Sequence, residues 1–145
     1  MFKSILAPFD GSENGKRALQ KAAELALLCH APLSILTVYR HHSMLEASLS
    51  MVRKDEPGNL DDVMRGHARE VAELGKQILR EAGIEAPRAF VKSGPTARTI
   101  VRFAADHGHD VIVIGSRGMG SIEDYLLGSV SHKVTGMARC PVLVV

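Results

Sequence analysis

Five short apolar runs, separated by segments of helical period, restrict most what this chain can fold into. The runs are Lys3 to Pro8, Leu33 to Tyr39, Ala86 to Lys92, Val111 to Gly115 and Pro141 to Val145. Their brevity and β-branched content are what strands buried on both faces require. Between them the apolar residues recur at helical spacing. The first helical segment places Ala18, Leu19, Ala22, Leu25, Ala26 and Cys29 on one side, with Lys16, Arg17, Lys21 and Glu24 over the rest. The second carries Met64, Ala68, Val71, Ala72, Ile78, Leu79 and Ala82, then meets Gly83, a residue suited to a left-handed cap. The third uses Ile100, Val101, Ala104 and Ala105 and stops before Gly108; the last uses Val130, Val134, Met137 and Ala138 and breaks at Pro141. This alternation predicts an α/β fold, a doubly wound parallel five-stranded sheet with helices on both faces, because parallel strands need crossovers and those are right-handed. Strand order is not written in the periodicity. From Arg40 to Leu60 the pattern lapses, and His41, His42, Met44, Met51 and Pro57-Gly58 predict a partly ordered loop or a short irregular helix.

A chain of 145 residues fits a single domain, 1–145, and needs neither disulfide nor metal to fold. The formal charge of +2 comes from acids and bases mixed along the sequence with no basic block, which argues against a nucleic-acid partner. Cys29 and Cys140 lie far apart in unlike settings and read as packing residues. The start Met1 to Leu6 runs straight into Ala7-Pro8-Phe9-Asp10, too soon interrupted for a signal peptide, and no apolar run approaches membrane-spanning length. The expectation is a cytoplasmic protein with no membrane partner.

In an open parallel sheet, ligands bind beyond the carboxyl ends of the strands where the winding reverses, so the residues after strands 1 and 4 matter most. After strand 4 the chain reads Gly115-Ser116-Arg117-Gly118-Met119-Gly120-Ser121, then Ile122 to Leu127, then Gly128-Ser129-Val130-Ser131. Glycines that let a backbone approach a ligand, hydroxyls that donate to oxyanions, and a helix starting near Ser129 with free amides together describe a phosphate cradle. Arg117 is placed to add a charge-assisted bond, although an arginine in a glycine-rich loop is as often solvated. Gly115 and Gly120 have Walker A spacing, but Ser121-Ile122 stands where Lys and Ser/Thr belong. The segment from Asp10 to Gly15 has the wrong glycine spacing for a dinucleotide fold.

The spacing Gly115-x2-Gly118-x9-Gly128-Ser129 resembles the G-2x-G-9x-G-[ST] element of the ATP-binding branch of the universal stress protein family. The resemblance runs along the chain: Ile5-Leu6-Ala7-Pro8-Phe9-Asp10-Gly11-Ser12 at the start, Leu36-Thr37-Val38, Gly94-Pro95-Thr96-Ala97, Val113-Ile114-Gly115, and Cys140-Pro141-Val142-Leu143-Val144-Val145 at the end. It implies a fold like that of the adenine nucleotide alpha hydrolases, strand order 3-2-1-4-5, with ATP, ADP or AMP across the ends of strands 1, 2 and 4 and Mg2+ on the phosphates. Pro8, Phe9 and Asp10 would then border the nucleoside, with Asp10 on the ribose hydroxyls and the Val38 backbone at the adenine edge. Gly115 and Gly118 would flank ribose and phosphates. Gly128, Ser129, Val130 and Ser131 would supply amides and hydroxyls to the phosphates. Phe9, where the family commonly has smaller or β-branched residues, would narrow the adenine slot. The resemblance also implies a homodimer through Pro141 to Val145, whose apolar edge calls for cover.

Taken alone, Asp10-Gly11-Ser12 reads as a turn with a helix cap; its place at the switch point favours a ligand role. The seven histidines read as surface groups, with His107 and His109 flanking Gly108 at a helix end and complementing its dipole. No nucleophile elbow surrounds Ser116, since Gly115 directly precedes it. The functional expectation is a nucleotide-binding regulatory module with no catalytic residue assigned. The alternative is a slow ATPase or autophosphorylating phosphotransferase, with Ser121, Ser129 and Ser131 as acceptors. The sequence names no protein client.

Overall fold

The computed structural model describes residues 1–40, 57–118 and 127–145. Among the described residues nine elements alternate: β1 (Ile5–Pro8), α1 (Glu13–Cys29), β2 (Leu33–Tyr39), α2 (Pro57–Glu81), β3 (Arg88–Ser93), α3 (Thr96–Asp106), β4 (Val111–Ile114), α4 (Ser129–Met137) and β5 (Val142–Val144). The strands form one parallel sheet in the order β3-β2-β1-β4-β5, the order that the family resemblance implied.

The two-residue period of the central strands divides the interior into two cores. Ile5, Ala7, Leu33, Ile35, Val111 and Val113 face α1 and α2, where they meet Leu19, Ala22, Ala26 and Leu79. Leu6, Leu36, Ile112 and Ile114 face α3 and α4, against Ile100, Phe103 and Val134. Side chains packed on both faces explain the unbroken apolar runs of β1 and β4. β3 differs: as an edge strand it is only half-buried, and it begins two residues later than its apolar run.

Helix boundaries follow local chemistry. Ser12 caps α1, its Oγ accepting from Gly15 N at 3.0 Å, and His30 ends the helix in the left-handed region at φ 53°. At Gly83, φ is +99°, the turn expected after α2. α2 begins earlier than expected: Pro57 is its first residue, where a fixed φ and a missing N–H suit a helix start. His41, His42, Met44 and Met51 lie outside the described residues, as does 119–126 with Gly120 and Ser121. Among the described residues, no helix is long and apolar enough to cross a membrane.

Candidate functional site

The site begins with a gap in the sheet. β1 pairs with β4 only through Ile5 and Leu6, and the two strands are unpaired beyond that. Ile5 N and Phe9 N both donate to β2-side carbonyls, Pro32 O and Leu36 O, so by alternation the nitrogen of Pro8 faces β4. A proline there has no donor to extend the ladder. The strands part at their carboxyl ends and leave a cleft of about 690 Å3, counting the open space at its mouth.

The structure brings all eleven sequence-predicted residues to this cleft: Pro8, Phe9, Asp10, Val38, Gly115, Arg117, Gly118, Gly128, Ser129, Val130 and Ser131. One wall is apolar, built by Leu36, Val38, Ile100 and Ile114. Leu36 O points to β1, so the N–H and C=O of Val38, two residues on, point the same way past the end of β1 and into the cleft. Asp10 stands at the opposite lip. Its Oδ1 accepts from Ser12 N at 3.0 Å, and a Cβ added at Gly118 would lie 2.6 Å from its Oδ2. The capping role therefore belongs to Ser12, and the exposed Asp10 carboxylate touches both the loop after β1 and the loop after β4.

Several expected roles change. The Phe9 ring is only 3% exposed and packs in the α1 and α2 core, so close to Gly75 that a Cβ there would meet it at 3.0 Å. The ring is committed to the core and does not narrow the slot beside Leu36 and Val38, which face the other way. At Gly115 an added Cβ would meet Asn14 Oδ1 at 2.8 Å. Gly115 and Gly118 thus let the loop after β4 close on the first turn of α1 and on Asp10, where the sequence suggested room for a ligand. The buried Ser131 hydroxyl donates to Ser116 O at 2.8 Å and approaches Gly128 O at 3.1 Å, and Gly128 N donates to Ser116 O at 2.7 Å. Neither group is left over for an anion.

Donors remain at the start of α4. The first intrahelical bond is His132 N to Gly128 O at 2.9 Å, so the amides of Ser129, Val130 and Ser131 precede the ladder at the positive end of the helix. Gly128 itself, at φ −61° and ψ 160°, has a backbone that any residue adopts. A glycine there relieves no strain.

Sequence reasoning missed Asn14, Gly15, Leu36, Thr96, Ile100 and Ile114, of which all but Asn14 line the cleft. Thr96 had a signal in Gly94-Pro95-Thr96 after β3, and the apolar residues were hidden among ordinary core positions. The surface assignment of His109 is also wrong. It is 8% exposed, its Nδ1 lies 2.9 Å from Ser4 Oγ, and burial pushes its pKa below the usual 6.5, helped by His107 and Arg88. His107 fits the expected dipole role better, its Nδ1 donating to Phe103 O at 3.0 Å while the ring stacks on Phe103.

Comparison with known proteins agrees with this architecture. Universal stress protein YxiE of Bacillus subtilis (strain 168) is 34% identical over 148 residues, which cover 100% of this chain and 99% of that protein. Among solved structures, universal stress protein UspA from Lactobacillus plantarum superposes with a TM-score of 0.82 at 26% identity, covering 99% of this chain and 97% of that one. The universal stress protein from Archaeoglobus fulgidus in complex with dAMP shares the fold, with a TM-score of 0.69 at 22% identity and coverage of 99% and 97%. The model of the universal stress protein family matches residues 1–145, end to end, and with it the sheet order and the parted strands have one reading: the chain belongs to the universal stress protein family.

Proposed function

We propose that this protein binds an adenine nucleotide, ATP or its lower phosphates, in the cleft between β1 and β4, and that the nucleotide acts as a regulatory ligand. The observation that carries the reading is the start of α4, where three amides precede the helical ladder beside a glycine whose conformation does not call for glycine. A helix N-terminus favours an adjacent anion by about 0.3–1 kcal/mol when exposed and up to about 2 when partly buried, so several donors must act together. Ser129 adds an exposed hydroxyl, and Arg117 a cation at the same mouth. The apolar wall and the Val38 backbone suit a purine, and Asp10 accepts from ribose hydroxyls. Mg2+ would ride on the phosphates and water, since that ion takes few protein ligands and no group of three His, Cys, Asp or Glu gathers among the described residues. The Archaeoglobus fulgidus relative, solved with dAMP, is consistent with an adenine mononucleotide in this fold.

The residues favour holding over hydrolysing. Asp10 is the one carboxylate lining the cleft among the described residues, and it accepts from Ser12 N. Among the described residues, none is placed to activate water. Steady-state phosphate release with Mg2+ should stay below about 1 s−1, the lower end of ordinary enzymes. Native mass spectrometry of freshly purified protein tests the binding itself: an adduct with the mass of an adenine nucleotide is expected. Absence of an adduct, together with no thermal shift at millimolar ATP, contradicts the reading.

The proposal extends to a homodimer through β5. That strand is an edge with no charged side chain, and a second copy pairing antiparallel would satisfy its open backbone groups. Val142 and Val144 pack inward; Leu143 is the outward residue, 41% exposed. Leu143→Lys, which spares the core, should shift sedimentation towards monomer, because an unpaired charge would be buried at the interface. A wild type that is monomeric at micromolar concentration with nucleotide present contradicts it.

A further inference from the structure

Asn14 belongs to no feature that suggested a ligand site, yet its side chain joins three parts of the chain. It lies in the first turn of α1, where Ser12 already provides the cap, so the helix start does not need it. Its Oδ1 accepts from Arg117 N at 2.7 Å and lies 3.4 Å from Ser116 Oγ. Its Nδ2 points to Val145 O at 3.4 Å. An amide donor on one side and a carbonyl on the other fix the orientation of the side chain.

Ser116 is the second half of the junction. Its N–H donates to the same Val145 carbonyl at 2.7 Å, and its own carbonyl accepts from Gly128 N and Ser131 Oγ at 2.7 and 2.8 Å. Val145 N in turn donates to Ile114 O at 2.9 Å. The loop after β4, the start of α4 and the residue after β5 are therefore tied at one residue. The contacts near 2.7 Å are the strong ones, and those at 3.4 Å lie beyond the usual range for an N–H donor. The principal path runs from Asn14 Oδ1 to Arg117 N, and from Ser116 to Val145 and Gly128. Gly115 permits it, since any side chain there would strike Asn14.

We infer that Asn14 is a positioning residue for the phosphate side of the cleft, and that Ser116 links occupancy of that cleft to the C-terminal strand. The link rests on the nucleotide reading above; the positioning does not. A ligand that draws on the amides at the start of α4 pulls on a segment bonded to Ser116, and Ser116 holds Val145. The end of β5 is then firmer when the cleft is filled. Asn14→Ala releases Arg117 N while leaving a good helix former in α1.

Amide-resolved hydrogen exchange on the full chain tests both parts. Without ligand, Asn14→Ala should speed exchange at Arg117 by about tenfold, the equivalent of one hydrogen bond of roughly 1.4 kcal/mol. Asn14→Asp, which keeps the acceptor, should restore slow exchange at Arg117. With saturating ATP, the wild-type amide of Val145 should slow, and Asn14→Ala should lose that response while losing more affinity for ATP than for adenosine. Unchanged exchange at Arg117 in Asn14→Ala overturns the positioning role. ATP that binds the wild type without slowing Val145 overturns the link. A wild type that binds neither ATP nor adenosine overturns the nucleotide reading and the link with it, and the ligand-free exchange still decides the positioning.

Discussion

The two ends of the β1–β4 pair are built from neighbouring strands and do opposite things. At the amino end the chain closes on itself: Asp110 N donates to Ser4 O at 2.9 Å, and the Asp110 carboxylate accepts from Lys3 N at 2.8 Å and Ser4 N at 3.0 Å. His109 adds its contact with Ser4 Oγ. At the carboxyl end Pro8 withholds a donor, the strands separate, and the helix that follows leaves amides unspent by its own ladder. Polar groups that find partners within the chain hold a fold together; polar groups that the fold leaves over are what a ligand can use.

Substitutions at the open end should change binding more than stability, and those at the closed end the reverse. The largest effect expected from a side chain is at Asp10. Asp10→Ala removes an acceptor from ribose hydroxyls in a partly desolvated cleft and should weaken adenosine and ATP alike by about 1–3 kcal/mol. A lowered melting temperature with intact affinity would place Asp10 with the structural residues instead.

Asp110→Ala should do the opposite. It unpairs two backbone amides and should cost about 1 kcal/mol of stability, at the lower end because the group is partly solvated, with ATP affinity unchanged. The Asp110 pKa is lowered, first by the bond from Lys3 N and then by that from Ser4 N. A depressed folded pKa contributes stability that is present above the ordinary carboxylate value and lost as pH falls through the folded value. Thermal denaturation of wild type and variant should therefore converge in strong acid; a constant gap down to the lowest pH would contradict the assignment.

The smallest effect concerns His109. Burial lowers its folded pKa from 6.5, so below about pH 6.5 the unfolded chain takes up the proton more readily than the folded one. Its contribution is complete above that pH and declines as pH falls towards the depressed folded value. His109→Gln should flatten this part of the stability curve between pH 7 and 5; an unchanged slope would show that another group is responsible.

The same contrast explains how much could be read from the sequence. The glycines and serines after β4 were visible because their signal is local, and the runs of β1 and β4 because burial on both faces leaves an unbroken apolar string. Asn14 and His109 were not visible, since their partners lie more than a hundred residues away: Arg117 and Val145 for one, Ser4 for the other. Spacing could not show that Ser131 spends its hydroxyl on Ser116 O, or that Gly115 serves Asn14. Phe9 misled because a residue at the strand end alternates between faces, and its ring took the face of the core.

The central claim is that the start of α4 cradles phosphates, and calorimetric titration of ATP into wild type and Gly128→Val tests it most directly. At φ −61° and ψ 160° the backbone accepts valine, so the variant should stay folded while its side chain fills the space beside the Ser129 and Val130 amides. The account predicts that the wild type binds and that the folded variant loses at least about 100-fold in affinity, roughly 2.7 kcal/mol. Equal affinity in the two proteins, with the variant shown to be folded, would contradict it.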